Sequence, residues 1–172
     1  YNADPTGNTD QTALFQRLLD FLGSRTVNKG TKDDGTPNGG VLFIPEGKYL
    51  LRGTLFLPKG VTIRGEWEKP VKGQPIKGTI LVANNTNAKG RDCTMLPNGT
   101  PGVAYEQLSL IIMQPSSSVR DLNIWYPEQD ANNIVPYPPA ILFGQQGFFI
   151  NRLKATSDSL GGIEAQPERL EK

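Results

Sequence analysis

Two near-copies of one pentapeptide constrain the fold of this chain more than any other feature. The segment FIPEG ends a short apolar run at residues 43–47, and FLPKG ends another at residues 56–60. In each copy proline presets the backbone at the start of a turn and glycine completes it. The repeat therefore predicts short strands that end in similar turns.

Further short apolar segments, rich in Val, Ile and Leu, follow along the chain and are bounded by turn residues. The predicted strands cover residues 41–44, 48–53, 55–57, 61–63, 78–82, 108–112, 119–125 and 140–143. A βαβ sheet is disfavoured because no helical segment lies between them. An antiparallel sandwich and a solenoid of stacked coils remain. Spacings of 20 positions from Val41 to Val61 and 17 from Ile63 to Ile80 favour the solenoid.

The burial pattern within these strands is also predictable. Alternation along the strands predicts that one set of side chains faces inward. A bend at Asp121 would let Val119, Leu122 and Ile124 all point into the core. The predicted buried set is Val41, Phe43, Leu55, Leu57, Val61, Ile63, Ile80, Leu122 and Ile124.

One helix is predicted before the strands, at residues 10–22. Leu14, Leu18 and Leu22 recur at helical spacing, Asp10 stands where an N-cap is expected, and Gly23 is a plausible stop. The polar, glycine-rich segment 24–40 is predicted to be a surface loop.

Charge and composition exclude several classes of function. Lys and Arg number 18 against 17 Asp and Glu, a net charge of +1, which gives no reason to expect nucleic acid or an anionic membrane as partner. The chain contains no His, which excludes Ser-His-Asp and Cys-His catalysis and His-ligated zinc. Cys93 is the single cysteine, so no internal disulfide can form. No apolar run is long enough to span a membrane.

Three segments resemble the pectate-lyase-like superfamily in order and spacing. The opening YNADPTGNTDQTALFQRLLDFL resembles its N-terminal signature, and GGVLFIPEGKYLLRGTLFLPKGVTIRGE resembles its first coils. VRDLNIWYPEQDANNIVPYPPAILFG is similar to polygalacturonase-related proteins of bacterial polysaccharide degradation. Asn2 and Gln11 depart from the usual Gly and Asp of the signature.

The resemblance implies an all-β solenoid, a right-handed single-stranded parallel β-helix with an N-terminal capping helix. Residues 1–172 would form one β-helix domain or the N-terminal fragment of a larger one. It would comprise a capping helix at 10–22, a loop at 24–40, coils at 41–150 and an irregular tail at 151–172.

The implied function is that of a secreted, periplasmic or cell-surface protein acting on a polysaccharide or oligosaccharide. A glycoside hydrolase is favoured over a polysaccharide lyase, and a non-catalytic glycan-binding or structural β-helix module is the alternative. No cofactor is expected, with Ca²⁺ entering only if the protein is a lyase. The chain alone is expected to be inactive, because the family's catalytic groups usually come from later coils.

The best local candidates for a site follow the predicted bend. Asp121, Glu128 and Asp130 are the candidate catalytic residues, since glycosidases use paired carboxylates. Trp125 and Tyr126 are the candidate substrate-binding residues, because aromatic rings stack on sugar faces. No metal ligand is predicted. The alternative is structural: Asp121 caps the bend, the aromatic residues cover the coil, and the other two acids are solvated.

Overall fold

In the computed structural model the described residues are 2–24, 39–89 and 108–143, with the backbone of four short strands at 26–29, 32–37, 154–155 and 163–164. Cys93 and most of the predicted tail at 151–172 lie outside them. The described residues form one helix, α1 (Thr12–Gly23), and the strands β1 (Thr6–Asp10), β2 (Thr26–Lys29), β3 (Lys32–Pro37), β4 (Gly40–Phe43), β5 (Gly47–Leu51), β6 (Leu55–Leu57), β7 (Val61–Arg64), β8 (Thr79–Ala83), β9 (Ile111–Met113), β10 (Ser118–Arg120), β11 (Asn123–Trp125), β12 (Ile141–Phe143), β13 (Lys154–Ala155) and β14 (Ile163–Glu164).

Most strands belong to three parallel sheets, in which β4 to β12 recur at every third strand and β1 is added at the edge of the first sheet. The first sheet has the order β1-β5-β8-β11, the second β4-β7-β10 and the third β6-β9-β12. All pairs within these sheets are parallel. Mostly parallel strands with one helix are consistent with a β-helix-like all-β fold, and the alternative of an antiparallel sandwich is not observed in these sheets.

The core lies between the three sheets. Leu51, Leu55, Leu57, Val61, Ile63, Leu81, Ile111 and Ile124 are almost fully buried and belong to one cluster. Branched aliphatic side chains recur in the inner rows because strands stacked in parallel register bring equivalent positions into contact. Short strands therefore build one continuous core.

The bend predicted at Asp121 is confirmed. It divides the predicted strand 119–125 into β10 and β11, and Asp121 has a φ of 57°. Asp is among the few non-glycine residues that tolerate this left-handed conformation. Val119, Leu122 and Ile124 are all buried, as expected for a chain that turns a corner there.

Helix α1 covers the open edge of the third sheet. The side-chain amide of Gln16 accepts a hydrogen bond from the Phe56 N–H at 2.8 Å and donates one to the Phe56 carbonyl at 3.1 Å. It thereby satisfies an edge strand whose backbone groups would otherwise lack partners. Phe15 and Leu19 anchor the helix in the core, whereas Leu18 is only half-buried.

The start of the helix differs slightly from the prediction of residues 10–22. The helix begins at Thr12 and ends at Gly23. Asp10 precedes it by two residues and accepts a hydrogen bond from the Thr12 N–H at 3.0 Å. Partial burial acts to raise the pKa of Asp10, but hydrogen bonds from Thr12 and Arg52 outweigh burial and hold that pKa below its ordinary value.

Two other predictions were wrong. Val41 and Phe43 are 53% and 49% exposed, because the register pairs Gly40 with Val61 and Leu42 with Ile63, which turns the odd-numbered side chains of β4 outward. The predicted loop at 24–40 contains the antiparallel pair β2 and β3.

Candidate functional site

The predicted site residues lie around β11 and the connection that follows it. Asp121 is the bend before β11, Trp125 is the last residue of that strand, and Tyr126 begins the segment leading to β12. Glu128 and Asp130 belong to that same segment. Tyr126 and Glu128 share Tyr137 as a neighbour, whereas the other three have separate surroundings.

Asp121 forms an ion pair with Arg64 of the neighbouring strand β7. The Arg64 Nε and the Asp121 Oδ2 are 3.4 Å apart, and both side chains are about half exposed, at 51% and 50%. The backbone of Asp121 passes close to Gly65, where a Cβ would lie 2.7 Å from the Asp121 carbonyl oxygen. These contacts suit a residue that fixes a tight corner.

Trp125 and Tyr126 face different parts of the molecule. Trp125 packs on the outer side of the first sheet with Leu50 and Val82, and the Lys48 Nζ lies 5.4 Å from the centre of a Trp125 ring. Tyr126 instead packs against the main core. The two aromatic residues therefore do not form one stacking platform.

Tyr126 has a second aromatic neighbour that sequence analysis missed. The rings of Tyr126 and Tyr137 have centres 4.8 Å apart and are tilted by 48°. Burial, and then the neighbouring Tyr137, raise the pKa of the Tyr126 hydroxyl. Tyr137 lies between two prolines in the segment VPYPP, and that rigid setting was the only sequence signal for it.

Glu128 is held by two residues. The Lys89 Nζ is 2.6 Å from its Oε2, and the Tyr137 hydroxyl donates a hydrogen bond to the same atom at 3.2 Å. The hydrogen bond from Lys89 is the main cause of a lowered pKa at Glu128. Burial, and then the charge of Glu128, raise the pKa of Tyr137 to about 12. The pair thus presents a carboxylate and a protonated phenol at neutral pH.

These four residues, Lys89, Tyr126, Glu128 and Tyr137, are here called the tyrosine–glutamate cluster. Lys89 comes from the turn that follows β8, and the other three come from the segment that follows β11. Because β8 and β11 are adjacent parallel strands, the segments leaving their carboxyl ends meet at the same edge of the sheet. Sequence analysis missed Lys89, which lies 39 positions before Glu128.

The segment that carries the cluster is tied to itself by side-chain hydrogen bonds. The Gln129 amide donates to the Val135 carbonyl at 2.6 Å and accepts from the Val135 N–H at 3.3 Å. Asp130 accepts a hydrogen bond from the Asn132 N–H at 2.9 Å, so its carboxylate closes a local turn. Such bonds hold the cluster in a fixed loop.

The structure does not bring the three candidate catalytic acids into contact. No hydrogen bond or ion pair among the described residues joins any two of Asp121, Glu128 and Asp130. A glycosidase needs one carboxyl group kept protonated to act as the acid. The lowered pKa of Glu128 is the opposite of that requirement.

Ca²⁺ takes about six to eight oxygen ligands, mostly from carboxylates and carbonyls. Within residues 2–24, 39–89 and 108–143 no group of three or more Asp, Glu, Cys or His side chains could hold a metal ion. The helix in the same part of the chain is too short to cross a bilayer.

Comparison with known proteins agrees with the resemblance drawn from the sequence. The family model described as rhamnogalacturonase A/epimerase, pectate lyase-like, matches residues 1–122. No curated protein and no solved structure gave a significant match. Because the family match covers well over half of the chain, the chain belongs to the pectate lyase-like family of rhamnogalacturonase A and epimerase.

Proposed function

We propose that this chain is the N-terminal portion of a secreted protein that acts on polysaccharide, with a glycoside hydrolase favoured over a lyase. Its fold would be a right-handed single-stranded parallel β-helix. The observation that carries this proposal is the sheet order, in which β4 to β12 recur at every third strand. The match to a carbohydrate-active family covers residues 1–122 and thus the strands up to β10.

The tyrosine–glutamate cluster is the proposed point of contact with sugar. The Glu128 carboxylate accepts hydrogen bonds from hydroxyl groups, the Lys89 ammonium donates them, and the edge of the aromatic pair offers an apolar surface. Glu128 is 33% exposed and Lys89 is 46% exposed, so a ligand can reach both side chains.

Catalysis is proposed to use carboxylates supplied by later coils. Asp121 is engaged by Arg64, and Asp130 closes its own turn. Glu128 is kept ionised by Lys89, which suits a hydrogen-bond acceptor or a base but not an acid. No cofactor is proposed, and Ca²⁺ would enter only if the reaction is an elimination.

The test compares this chain with the full-length gene product on pectic, β-glucan and host-type polysaccharides. New reducing ends report hydrolysis, and unsaturated products report elimination. We expect cleavage by the full-length protein and none by this chain. Robust turnover by the chain that Glu128→Gln abolishes would contradict the proposal and place the active site in the cluster. Glu68→Gln is the matched control, because Glu68 forms an exposed ion pair with Lys77.

A non-catalytic glycan-binding or structural module is the second candidate. It is favoured by one observation, namely that each of the three candidate acids already has its own structural partner. Oligosaccharide binding by the full-length protein without any turnover would select this function over the enzyme.

A further inference from the structure

The connection between β7 and β8 is much longer than the equivalent connections of the neighbouring strands. The chain crosses from the second sheet to the first in residues 44–46, between β4 and β5, and in residues 121–122, between β10 and β11. Between β7 and β8 the same crossing takes residues 65–78. The fold therefore does not need most of this segment, which is here called the β7–β8 arm.

The base of the β7–β8 arm is fixed to the body of the fold. Trp67 and Gly78 form an antiparallel bridge, and the Lys77 Nζ lies 3.6 Å from the Glu68 Oε2. Ile76 packs on the outer apolar cluster of the first sheet and anchors the returning limb. The arm thus leaves the sheet and returns to it at neighbouring positions.

The outgoing limb and the tip of the arm are open to solvent. All residues from 66 to 75 are exposed. The Gln74 N–H donates a hydrogen bond to the Val71 carbonyl at 3.0 Å, which closes a turn in which Gly73 has a φ of 80°. A Cβ at Gly73 would meet no atom within 4 Å, so none of the described residues packs on the turn.

Two large hydrophobic side chains lie in this exposed stretch. Val71 is 62% exposed, more than any other large hydrophobic residue in the described part of the chain, and Trp67 is 40% exposed. Neither belongs to the two apolar clusters that the described residues form. Exposed apolar groups beside polar ones mark interaction sites, because their burial against a partner is favourable.

The tip of the arm is basic although the whole chain has a net charge of only +1. Residues 69–75 contain Lys69 and Lys72 and no acidic residue. The nearest acid in the sequence, Glu68, is engaged by Lys77 at the base. Within the described part of the chain no ion pair includes either lysine of the tip. Balanced total charge therefore conceals one locally cationic segment.

We propose that the tip of the β7–β8 arm contacts the surface of an anionic lipid bilayer. Lys69 and Lys72 bind lipid phosphates. Val71 enters the boundary between headgroups and acyl chains, and Trp67 lies at the level of the headgroups.

The arrangement of the tip fits a bilayer surface better than a sugar. A bilayer has an anionic layer directly above an apolar one, and the sequence places lysines on both sides of Val71. Sugar rings stack on aromatic faces, whereas the most exposed side chain of the arm is aliphatic. The contact is peripheral and involves no spanning segment.

This inference goes beyond the proposed function and does not rest on it. Cleavage of polysaccharide is measured in solution without lipid, and binding to vesicles is measured without polysaccharide. Failure of either experiment therefore leaves the other conclusion untouched.

The experiment is co-sedimentation of the chain with vesicles of phosphatidylcholine, alone or mixed at about three parts to one with phosphatidylglycerol. Binding should be detectable for the anionic vesicles and at least tenfold weaker for the neutral ones. Lys69→Gln and Lys72→Gln should each weaken binding about fivefold, because each removes one charge near the surface. Val71→Gln should weaken binding about tenfold, because apolar burial is lost.

Lys59→Gln and Ile134→Gln are the matched controls, since both residues are exposed and lie outside the arm. Circular dichroism verifies that each variant is folded. Equal weakening by Lys59→Gln and Lys69→Gln would overturn the proposal, because it would mean attraction by net charge alone. Equal weakening by Ile134→Gln and Val71→Gln would overturn it as well.

Tryptophan fluorescence gives a second measurement. Trp67 and Trp125 are the two tryptophans of the chain. Lipids brominated on their acyl chains should quench the emission of the bound chain. Trp67→Phe should keep the binding and lose most of the quenching, whereas Trp125→Phe should keep both. Quenching that persists in full in Trp67→Phe would contradict insertion by the arm.

Three further outcomes would refute the bilayer contact. Absence of binding to the anionic vesicles would overturn it outright. Equal binding to neutral and anionic vesicles would remove the role of the two lysines. Binding of polygalacturonate that depends on Lys69 and Lys72, without binding to vesicles, would assign the arm to an acidic glycan instead.

Discussion

The first and second sheets contribute to the same core but differ in the burial of their outer faces. In the first sheet all five residues of β8 are buried, and Leu50, Ile80 and Val82 form a second apolar cluster on the outer side. In the second sheet Val61 and Ile63 are buried, while Arg64 of the same strand is exposed. Within the part of the chain that the structure describes, the first sheet is therefore covered on both sides and the second on one side only.

The cover of the first sheet comes from the segment between β7 and β8. Ile76 packs on the outer cluster, and the buried Asn123 side chain donates a hydrogen bond to the Lys77 carbonyl at 3.3 Å. The first sheet also has the additional edge strand β1. Sheets covered on both faces show continuous apolar runs, and sheets with one solvated face show alternation. Among residues 2–24, 39–89 and 108–143, nothing covers the outer face of the second sheet in the way that the segment with Ile76 covers the first.

The largest effect is expected at the junction of the two sheets, where the Thr79 hydroxyl of β8 bonds to residues that follow β4 and β7. It donates to the Ile44 carbonyl at 2.7 Å and accepts from the Glu66 N–H at 2.9 Å. Thr79→Val keeps the shape and should lower the free energy of unfolding by about 2–3 kcal/mol, because buried groups lose their partners. Urea denaturation measures it. Thr79→Ser keeps the hydroxyl and should cost clearly less; equal losses would contradict the role of the bond.

A matched pair of valines tests the comparison directly. Val82 is 7% exposed on the outer side of the first sheet, and Val41 is 53% exposed on the outer side of the second. At ~0.8 kcal/mol per buried methylene-sized group, Val82→Ala should cost about 1.5 kcal/mol. Val41→Ala should stay within about 0.5 kcal/mol. Thermal and urea unfolding of the two variants measure these losses in the free energy of unfolding. Similar losses would mean that both outer faces are covered.

The corner between the sheets should show a smaller effect. A β-branched residue in the left-handed region costs about 1–2 kcal/mol, so Asp121→Val should lower the free energy of unfolding by roughly 1 kcal/mol or more. Asp121→Asn tolerates the same backbone and loses only a half-exposed ion pair, which is worth about 0–1 kcal/mol. In urea unfolding, Asp121→Val should have a lower free energy of unfolding than Asp121→Asn. Equal losses in the two variants, both of which lack the ion pair, would show that the ion pair, and not the backbone conformation, holds the corner.

The smallest effect concerns pH and the additional edge strand of the first sheet. Asp4 accepts hydrogen bonds from the side chain and backbone of Thr6 and from the Thr9 N–H, which lower its pKa from 3.8 to about 2. A lowered pKa in the folded state stabilises the fold above the ordinary value and ceases to do so as the pH falls through about 2. The thermal midpoint of unfolding should therefore drop as the pH falls from 3.8 to about 2, and it should drop less in Asp4→Asn. An unchanged slope in Asp4→Asn would exclude Asp4 as a source of the drop.

Much of the fold was predictable because the repeat of turns and apolar runs is local. The helix was placed to within two residues at its start and one at its end, and the bend at Asp121 was located. The predicted inward orientation was wrong for Val41 and Phe43. A run of four apolar residues carries no alternation, so the register with β7 decides which of its side chains face inward.

The site was only partly predictable. Tyr126 and Glu128 lie in the tyrosine–glutamate cluster, whereas Trp125 lies on the other side of the sheet. Lys89 could not be found, because adjacent strands of a parallel sheet join segments that are far apart in sequence. The same reason hid the pairing of Arg64 with Arg120, which lie 56 positions apart.

The sequence by itself determined the family, the helix, the short strands and the corner, since these depend on turn residues and on apolar periodicity within a few positions. Tertiary structure decided which strands pair, which side of each sheet is covered, and which charged groups meet. Those outcomes follow from parallel register, in which a shift of one residue exchanges the two faces of a strand. Phe43, Arg64 and Arg120 share one row of the second sheet because β4, β7 and β10 are aligned in this register.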